Sequence, residues 1–231
     1  MSYNIDEILK SANLLIRDKP CFFPKTIPET KQLLSWNSVN DCLNNPLFEM
    51  ELIDKNNKKI DIPKVIVPWV MTPVNDKSFV AQKIGEGYGF VIKNYGFYNK
   101  NIQLLLMELE QTFNVMCDVH VYGGLVESKS FKIHDDFPAN IIIQIEGETR
   151  WKVFSNRASM LHTLEETHSF DIDENELEKV IDVVLKPGDM LYIPSRCYHV
   201  AMPQSTRLSI SIPCWPREHN QYSRQYYEIK P

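Results

Sequence analysis

The sequence predicts a mainly β protein with flanking helices, in which a helical and mixed lead-in precedes a sandwich or small barrel. Short β-type segments with turn residues between them run through the second half of the chain. An amphipathic helix precedes them at about 101–113. The composition, 43% hydrophobic and 24% charged over 231 residues, is typical of a globular chain long enough to bury one full core.

The lead-in, residues 1–114, contains two helical patterns. The first has the spacing of one helical face and is formed by Ile5, Ile8, Leu9 and Ala12. The second is stronger, and its apolar stripe is formed by Ile102, Leu105, Leu106, Leu109 and Phe113. We interpret that stripe as part of the core rather than as a surface that binds a partner.

The barrel is predicted over residues 115–215, and a polar tail follows at 216–231. Its strands are predicted near 115–122, 129–134, 140–145, 149–154, 180–185, 189–193, 199–202 and 207–212. The stretch 155–179 interrupts this pattern and is rich in acidic residues. We interpret it as a solvated insertion between two strands of the barrel.

Charge and cysteine content argue against several classes of protein. The net charge is -5, and no run of lysine and arginine indicates a nucleic-acid surface. The N-terminus lacks the pattern of a signal peptide, and no apolar stretch is long enough for a membrane span. The cysteines, 5 in number and without a Cys-x-x-Cys motif, fit small, buried, reduced thiols. We therefore expect a cytoplasmic protein without a membrane or a directly bound nucleic acid.

Polar side chains stand directly before one of the buried strands. His134, Asp135 and Asp136 precede the apolar run Ile141–Ile143 in the stretch "FKIHDDFPANIII". Polar groups at such an edge cost desolvation free energy unless a turn, an ion pair or a metal compensates them. A lone His-x-Asp pattern does not decide between these three.

A second histidine element lies downstream, in "KPGDMLYIPSRCYHV". Gly188 begins a turn, Pro194 ends the following strand, and His199 opens the next one. A His-x-Asp on one strand with a histidine on a distant strand is the pattern of a two-histidine, one-carboxylate facial triad. Such a triad holds Fe(II) and leaves coordination positions open. The sequence therefore predicts a metal site formed by His134, Asp136 and His199.

From Val115 to Pro213 the chain resembles the double-stranded β-helix, or cupin jelly roll, of the JmjC-type cupin oxygenases. The resemblance is closest to the branch that contains the ribosomal oxygenases. It rests on His134-x-Asp136, "QIEGE", Trp151, "KPGDMLYIP" and His199. Members of this family use Fe(II), 2-oxoglutarate and O2 to hydroxylate a substrate, often a protein side chain, with succinate and CO2 as coproducts. The resemblance implies the same cofactor chemistry here.

Positions that match the family imply contacts with 2-oxoglutarate. Asn140 matches an asparagine that contacts the cosubstrate near the metal. Tyr122 matches a tyrosine that contacts its distal carboxylate, although it also fits an ordinary strand aromatic. The lysine that pairs with this carboxylate in the family is replaced here by Thr149. The neighbouring Arg150 is expected to point to the opposite face of the strand.

Because a buried carboxylate needs a cation, another residue has to replace the missing lysine. In "RLSIS", Arg207, Ser209 and Ser211 share one face of a strand. Arg207-x-Ser209 also resembles the Arg-x-Ser element of another branch of 2-oxoglutarate oxygenases, so Arg207 is the expected partner. Lys132, two residues before His134, is the next candidate.

Three classes of function follow from these residues. The first is an Fe(II)- and 2-oxoglutarate-dependent dioxygenase of the hydroxylase type. The second is a metal-dependent cupin enzyme that does not use 2-oxoglutarate, which the missing lysine favours. The third is a non-catalytic cupin binding module, which the complete triad disfavours. The tail after the barrel is shorter than the dimerisation and winged-helix-like segments of the ribosomal oxygenases. The resemblance therefore leaves a protein, a peptide or a small molecule open as the substrate.

Overall fold

The computed structural model describes residues 18–43, 45–46, 48–56, 58–66, 72–126, 128, 130–159 and 172–217. The helix predicted around residues 5–12, the middle of the acidic insertion and almost all of the polar tail lie outside this part of the chain. None of the described helices combines the length and the apolar character that crossing a membrane requires. All of the cysteines carry free thiols, and every one except the half-buried Cys21 is buried.

The described α-helices all belong to the lead-in and are α1 (Trp36–Cys42), α2 (Lys77–Gly85) and α3 (Lys100–Phe113). α3 confirms the helix predicted at 101–113. It begins after Asn99, whose side chain accepts hydrogen bonds from the first-turn N–H groups of Asn101 and Ile102. Its apolar stripe packs into the core through Ile102, Leu105 and Leu109. Short 3-10 helices lie at Thr30–Gln32, Tyr95–Phe97 and Glu174–Glu176.

The described strands are β1 (Cys21–Phe23), β2 (Met50–Ile53), β3 (Lys59–Ile60), β4 (Lys64–Val65), β5 (Val74–Asn75), β6 (Gly89–Ile92), β7 (Val115–Cys117), β8 (His120–Gly124), β9 (Ala139–Glu146), β10 (Thr149–Arg157), β11 (Lys179–Leu185), β12 (Met190–Ile193), β13 (Cys197–Pro203) and β14 (Arg207–Pro216). The main sheet has the order β1-β12-β9-β14-β8-β6-β2-β3, and β7 also pairs with β14. A smaller sheet has the order β11-β10-β13, and β4 pairs with β5.

The two larger sheets are built from alternating parts of the chain. β9, β12 and β14 lie in the main sheet, whereas β10, β11 and β13, which come between them in the sequence, lie in the smaller one. Every pair of neighbouring strands is antiparallel. This arrangement is the double-stranded β-helix that the resemblance implied, and the mainly β fold with flanking helices is confirmed.

The apolar run of β9 is buried on both faces. Ile141 and Ile143 pack into the large core between the main sheet and the helices of the lead-in. Ile142 points the other way, into a smaller apolar cluster between the two sheets that also contains Leu191 and Ile193. Because side chains alternate along a strand, one face of β9 looks into the barrel and the other holds the lead-in. This alternation places Asn140 and Gln144 on the barrel side.

A glycine turn carries the chain from β9 in the main sheet to β10 in the smaller one. Gly147 has a φ of 69°, a backbone conformation that favours glycine. A Cβ atom at this position would lie 1.9 Å from the carbonyl oxygen of Thr206. The turn therefore requires glycine on both conformational and steric grounds, and it aligns β10 with the strands that complete the site.

Two of the predicted strands are wrong in detail. The segment predicted as one strand at 115–122 is two strands, β7 and β8. Between them the Asp118 side chain accepts a hydrogen bond from the Val119 N–H, which interrupts the strand. The described residues of 129–134 form no strand. They make a single antiparallel bridge, between His134 and His199. The His-x-Asp motif therefore stands in a loop rather than on a strand.

The lead-in does not form a separate layer, since β1, β2, β3 and β6 belong to the main sheet. The division of the chain at residue 114 and the limits of the barrel at 115–215 therefore stay predictions. β10 continues to Arg157, so the start of the predicted insertion at residue 155 lies within a strand. The 3-10 helix at Glu174–Glu176 lies in the last part of this predicted insertion, which the structure describes from residue 172 onward.

Candidate metal centre and adjoining cavity

Within the part of the chain that the structure describes, one group of three metal-ligating side chains lies close enough to share an ion. It consists of His134, Asp136 and His199, whose ligand atoms all lie within 4.8 Å of one another. The backbone brings them together, because His134 N donates to His199 O at 3.1 Å and His199 N donates to His134 O at 2.8 Å. The three predicted ligands therefore meet at one point.

Both histidines are held in the tautomer that suits a metal ligand. His134 Nδ1 lies 2.7 Å from the carbonyl oxygen of Lys132, and His199 Nδ1 lies 2.9 Å from that of Cys197. A carbonyl can only accept a hydrogen bond, so each Nδ1 carries a proton, and in the neutral rings each Nε2 keeps its lone pair. A carbonyl partner on the second ring nitrogen is also the usual way to orient a metal-binding imidazole.

Asp136 is oriented by a short chain of polar groups. Asn140 Nδ2 donates to Asp136 Oδ2 at 2.7 Å, and Ser211 Oγ donates to Asn140 Oδ1 at 3.2 Å. His199 Nε2 lies 3.5 Å from the same carboxylate oxygen. Burial by itself lowers the pKa of His199, but the hydrogen bond and charge of Asp136 outweigh it, so the pKa stands above its ordinary value. Asn140, which the resemblance places near the metal end of 2-oxoglutarate, thus contacts the proposed metal ligand Asp136.

The cluster opens into a cavity between the two sheets, with about 490 Å³ of empty space, part of it open to solvent. Pockets that bind small molecules are typically concave and combine an apolar lining with a few polar groups, as this cavity does. All three cluster residues line it, and so do four of the side chains proposed from the sequence to contact 2-oxoglutarate, namely Tyr122, Thr149, Arg207 and Ser209. Trp151 closes one side, where its ring lies 6.0 Å from that of His199.

Arg207 brings a buried positive charge to this cavity. Its side chain is 4% exposed, and Nη1 donates to Ser128 Oγ at 2.8 Å. Among the residues that the structure describes, no carboxylate lies within ion-pair distance of its guanidinium. Burial lowers the pKa of Arg207 to about 10, so the side chain remains a cation at neutral pH. The predicted alternation of β14 is confirmed, because Leu208, Ile210 and Ile212 belong to the large core on the other face.

Hydroxyl groups around the same cavity could donate hydrogen bonds to a bound ligand. Thr149 Oγ1 is buried and makes no hydrogen bond with any described residue. The Tyr122 side chain stands beside Phe131, and burial raises the pKa of its hydroxyl, which therefore stays a neutral donor. Ser209 is paired with Tyr122 across β8 and β14. A small anion would fit these groups, because its oxygen atoms could pair with Arg207 and accept hydrogen bonds from the hydroxyl groups.

Two other cations proposed or weighed from the sequence lie elsewhere. The Lys132 side chain is exposed and is not among the residues that line the cavity. Arg150 points away from the barrel, as strand alternation predicts, and forms a bidentate ion pair with Asp182 at 2.7 and 2.9 Å. Of the three, Arg207 is the cation that the fold places at the cavity.

Sequence reasoning missed Ser128 and gave Asp135 no role. Ser128 carries no periodic signal of its own: it lies after the end of β8, and only the folded chain shows that its hydroxyl accepts a hydrogen bond from Arg207. Asp135 is fully buried and forms an ion pair with Arg196. An ion pair was one of the alternatives for the polar residues before β9, but no local pattern indicates which distant residue would supply the cation.

The fold and the cluster together define the class of protein: a double-stranded β-helix with a two-histidine, one-carboxylate site. Residues 96–222 match the JmjC domain family. Because the match covers more than half of the chain, this protein belongs to the JmjC domain family.

Curated relatives share the region around the site. The chain is similar to the bifunctional lysine-specific demethylase and histidyl-hydroxylase NO66 of Drosophila persimilis, at 27% identity over 146 residues. This alignment covers 63% of the present chain and 21% of the relative. The NO66 protein of Drosophila mojavensis is 26% identical over 184 residues, which cover 78% of this chain and 20% of that protein. The chain thus spans about a fifth of the length of these relatives.

Solved structures of YcfD, a ribosomal oxygenase from Escherichia coli, have the same fold. An X-ray structure of YcfD superposes with a TM-score of 0.61 at 15% identity and covers 90% of this chain and 52% of YcfD. The complex of YcfD with cobalt and 2-oxoglutarate gives a TM-score of 0.57 at 15% identity, covering 88% of this chain and 50% of YcfD. At this level of identity the likeness shows the fold alone.

Proposed function

We propose that this protein is an Fe(II)- and 2-oxoglutarate-dependent oxygenase of the hydroxylase type. The observation that carries the proposal is one cavity lined both by the cluster of His134, Asp136 and His199 and by the buried cation Arg207. Two imidazole nitrogens and one carboxylate oxygen are a donor set suited to Fe(II) in oxygenases. A buried cation without a carboxylate partner among the described residues costs several kcal/mol unless an anion compensates it.

The residues of the cavity fit the two ends of 2-oxoglutarate. His134, Asp136 and His199 would hold the metal, and bound Fe(II) would supply the redox chemistry that activates O2. Arg207 would pair with the distal carboxylate through its planar fork. The hydroxyl of Thr149 would add a hydrogen bond that it does not make within the described protein.

Further side chains would shape the site around the cosubstrate. Tyr122 and Ser209 stand side by side on neighbouring strands and offer two more hydroxyl groups to the distal carboxylate. Asn140 would act through Asp136, whose carboxylate it holds. Trp151 would exclude water from the space beside His199. In the overall reaction one oxygen atom of O2 enters a substrate C–H bond, the other enters succinate, and CO2 leaves.

We further propose that the substrate is a side chain of a protein. The relatives and the fold neighbour are described as a lysine demethylase and histidyl-hydroxylase and as a ribosomal oxygenase, and these names point to protein substrates. Whether the reaction on that side chain ends in hydroxylation or in demethylation depends on the carbon that is oxidised. In both cases the protein would present a C–H bond to the metal, and the new hydroxyl group is retained unless the oxidised carbon is an N-methyl group, which then leaves as formaldehyde.

The test is an anaerobic Fe(II) titration followed by a turnover assay with O2 and 2-oxoglutarate. We expect one equivalent of iron to bind and succinate to form slowly even without the true substrate. The His134→Ala variant, treated in parallel, controls for iron that reacts free in solution. Iron-loaded protein that neither binds nor converts 2-oxoglutarate would instead support a cupin enzyme that does not use this cosubstrate, which Thr149 at the family's lysine position favours.

A further inference from the structure

A buried ion pair adjoins the proposed metal ligands in the sequence. Arg196 Nε lies 2.9 Å from Asp135 Oδ2, and the two side chains are only 2% and 0% exposed. Asp135 stands between His134 and Asp136 in the chain. Its carboxylate oxygens accept no well-directed hydrogen bond from any described residue, so the charge of Arg196 is what compensates them. A buried carboxylate held in this way is costly and calls for a reason.

The backbone of Arg196 is unusual as well. Its φ is 65°, in the left-handed region that favours glycine. Non-glycine residues keep such a conformation only where the surrounding structure enforces it, and they cluster at functional sites. Two costly features, a buried carboxylate and a left-handed arginine, therefore meet in a single contact.

Arg196 joins three segments of the site. Its N–H donates to the carbonyl oxygen of Asp136 at 2.8 Å, which ties it to the first two ligands. Its own carbonyl accepts from Ala158 N at 3.0 Å, and Nη2 donates to Ser159 O at 2.7 Å, which ties it to the end of β10. The turn that contains Arg196 leads directly into β13 and His199.

We propose that Asp135 and Arg196 are positioning residues that set the spacing of the metal ligands. This inference rests on the proposed metal site. The ion pair holds the His134–Asp136 segment against the turn before His199. It thereby fixes the position of His134 and Asp136 relative to His199. A buried ion pair is by itself weak evidence for stability, since apolar pairs of similar volume often stabilise a fold equally well. Its use in fixing a register accounts better for its place beside the ligands.

Cobalt titration of four proteins separates positioning from stability. The proteins are the wild type, Arg196→Gly, the double variant Asp135→Asn with Arg196→Gly, and the control Leu34→Ala. Glycine suits the left-handed backbone at position 196 but leaves the Asp135 carboxylate without its cation. The double variant removes that buried charge as well. Leu34 is buried in the core on the lead-in side, so its truncation lowers stability without touching the ligand segments.

The measurements are the Co(II) dissociation constant, the d–d absorption spectrum of the bound ion, and the thermal unfolding midpoint. Both Arg196 variants are expected to bind Co(II) roughly 10- to 100-fold more weakly, with an altered spectrum. The double variant should regain thermal stability relative to Arg196→Gly but not the affinity. Leu34→Ala should unfold at a lower temperature yet bind Co(II) as the wild type does.

Three results would overturn the positioning role of Asp135 and Arg196. A double variant with wild-type affinity and spectrum would overturn the positioning role, even if Arg196→Gly alone fails to fold. Equal weakening in Leu34→Ala would show that lost stability accounts for the effect, and this too would overturn it. A wild-type protein that binds no Co(II) would remove the metal site itself and with it this inference.

Discussion

His199 Nε2 lies 3.5 Å from Asp136 Oδ2, although the two residues come from separate segments that meet at a single bridge. The Nδ1 atom of each cluster histidine faces a backbone carbonyl, so in the neutral rings the lone pairs of both Nε2 atoms are available for a metal. The donor atoms are thus oriented before any ion binds. This orientation favours tight binding, because little side-chain freedom is lost when the metal arrives.

Replacing His134 or Asp136 with alanine should abolish stoichiometric Fe(II) binding. Each change removes one of three ligands, and the affinity of such a site depends on all of them. Both residues are only half-buried, so the variants should remain folded by circular dichroism. Binding is measured by anaerobic titration, with His120→Ala, a half-buried histidine outside the cluster, as the matched control. Normal iron binding by a variant that lacks both ligands would refute the assignment.

Metal affinity should tighten as the pH rises through and above the ordinary pKa of histidine. A metal binds the neutral imidazole, and the raised pKa of His199 keeps its proton in place to a higher pH than usual. In the metal-free protein the charged His199–Asp136 pair therefore stabilises the fold below the ordinary histidine pKa, and this contribution fades as the pH rises through the raised one. Calorimetry in buffers of different ionisation enthalpy should detect proton release on binding. Affinity that is independent of pH, without proton release, would contradict this.

Arg207→Ala should weaken 2-oxoglutarate binding severely and leave metal binding intact. Removing a charged partner from a buried site costs on the order of 3–5 kcal/mol, or a few-hundred-fold or more in affinity. Arg207→Lys should recover only part of this, since a single ammonium does not reproduce the bidentate fork. Affinities are measured by titrating the Co(II)-loaded protein with 2-oxoglutarate. Arg150→Ala, which removes an arginine on the outer face of β10, is the control. An unchanged affinity in Arg207→Ala would refute Arg207 as the partner of the distal carboxylate.

Thr149→Lys should partly rescue the Arg207→Ala variant. Thr149 and Arg207 line the same cavity, and a lysine at position 149 restores the residue that the family places there. The rescue depends on the two positions facing the same end of the ligand, so the double variant tests that geometry. The measurement is again the 2-oxoglutarate dissociation constant. A double variant as weak as Arg207→Ala would show that the new ammonium does not reach the distal carboxylate.

Gly124→Ala should weaken 2-oxoglutarate binding through Ser128. A Cβ atom at this position would lie 2.2 Å from Ser128 Oγ and 3.4 Å from Arg207 Nη1, so the hydroxyl that holds the guanidinium must move. We expect the affinity for 2-oxoglutarate to fall roughly tenfold, which corresponds to about the free energy of one hydrogen bond to a charged group. Gly85→Ala is the matched control, because a Cβ atom at that helix end would meet nothing within 4 Å. Equal affinities in the two variants would count against a role for Ser128.

Local patterns in the sequence were sufficient for several parts of this protein. The stripe of α3, the alternation of Arg207 and Ser209 with Leu208 and Ile210, and the outward direction of Arg150 all depend on the period of a single element. Such periods are set by backbone geometry and are therefore visible in a short stretch of residues. The spacing of the His-x-Asp motif and the later histidine was likewise enough to predict that His134, Asp136 and His199 come together, while their role as metal ligands stays a prediction.

What only the tertiary structure decided is which distant side chains meet. Arg207 and Ser128, 79 residues apart, share a hydrogen bond because β8 and β14 pair in one particular register. A shift of that register by one residue would turn Arg207 away from the cavity, and no local pattern specifies it. The same holds for Asp135 and Arg196, whose ion pair forms where a loop meets a turn. Sequence patterns determine which face of a strand is polar, whereas long-range pairing and the packing of two cores determine what that face encloses.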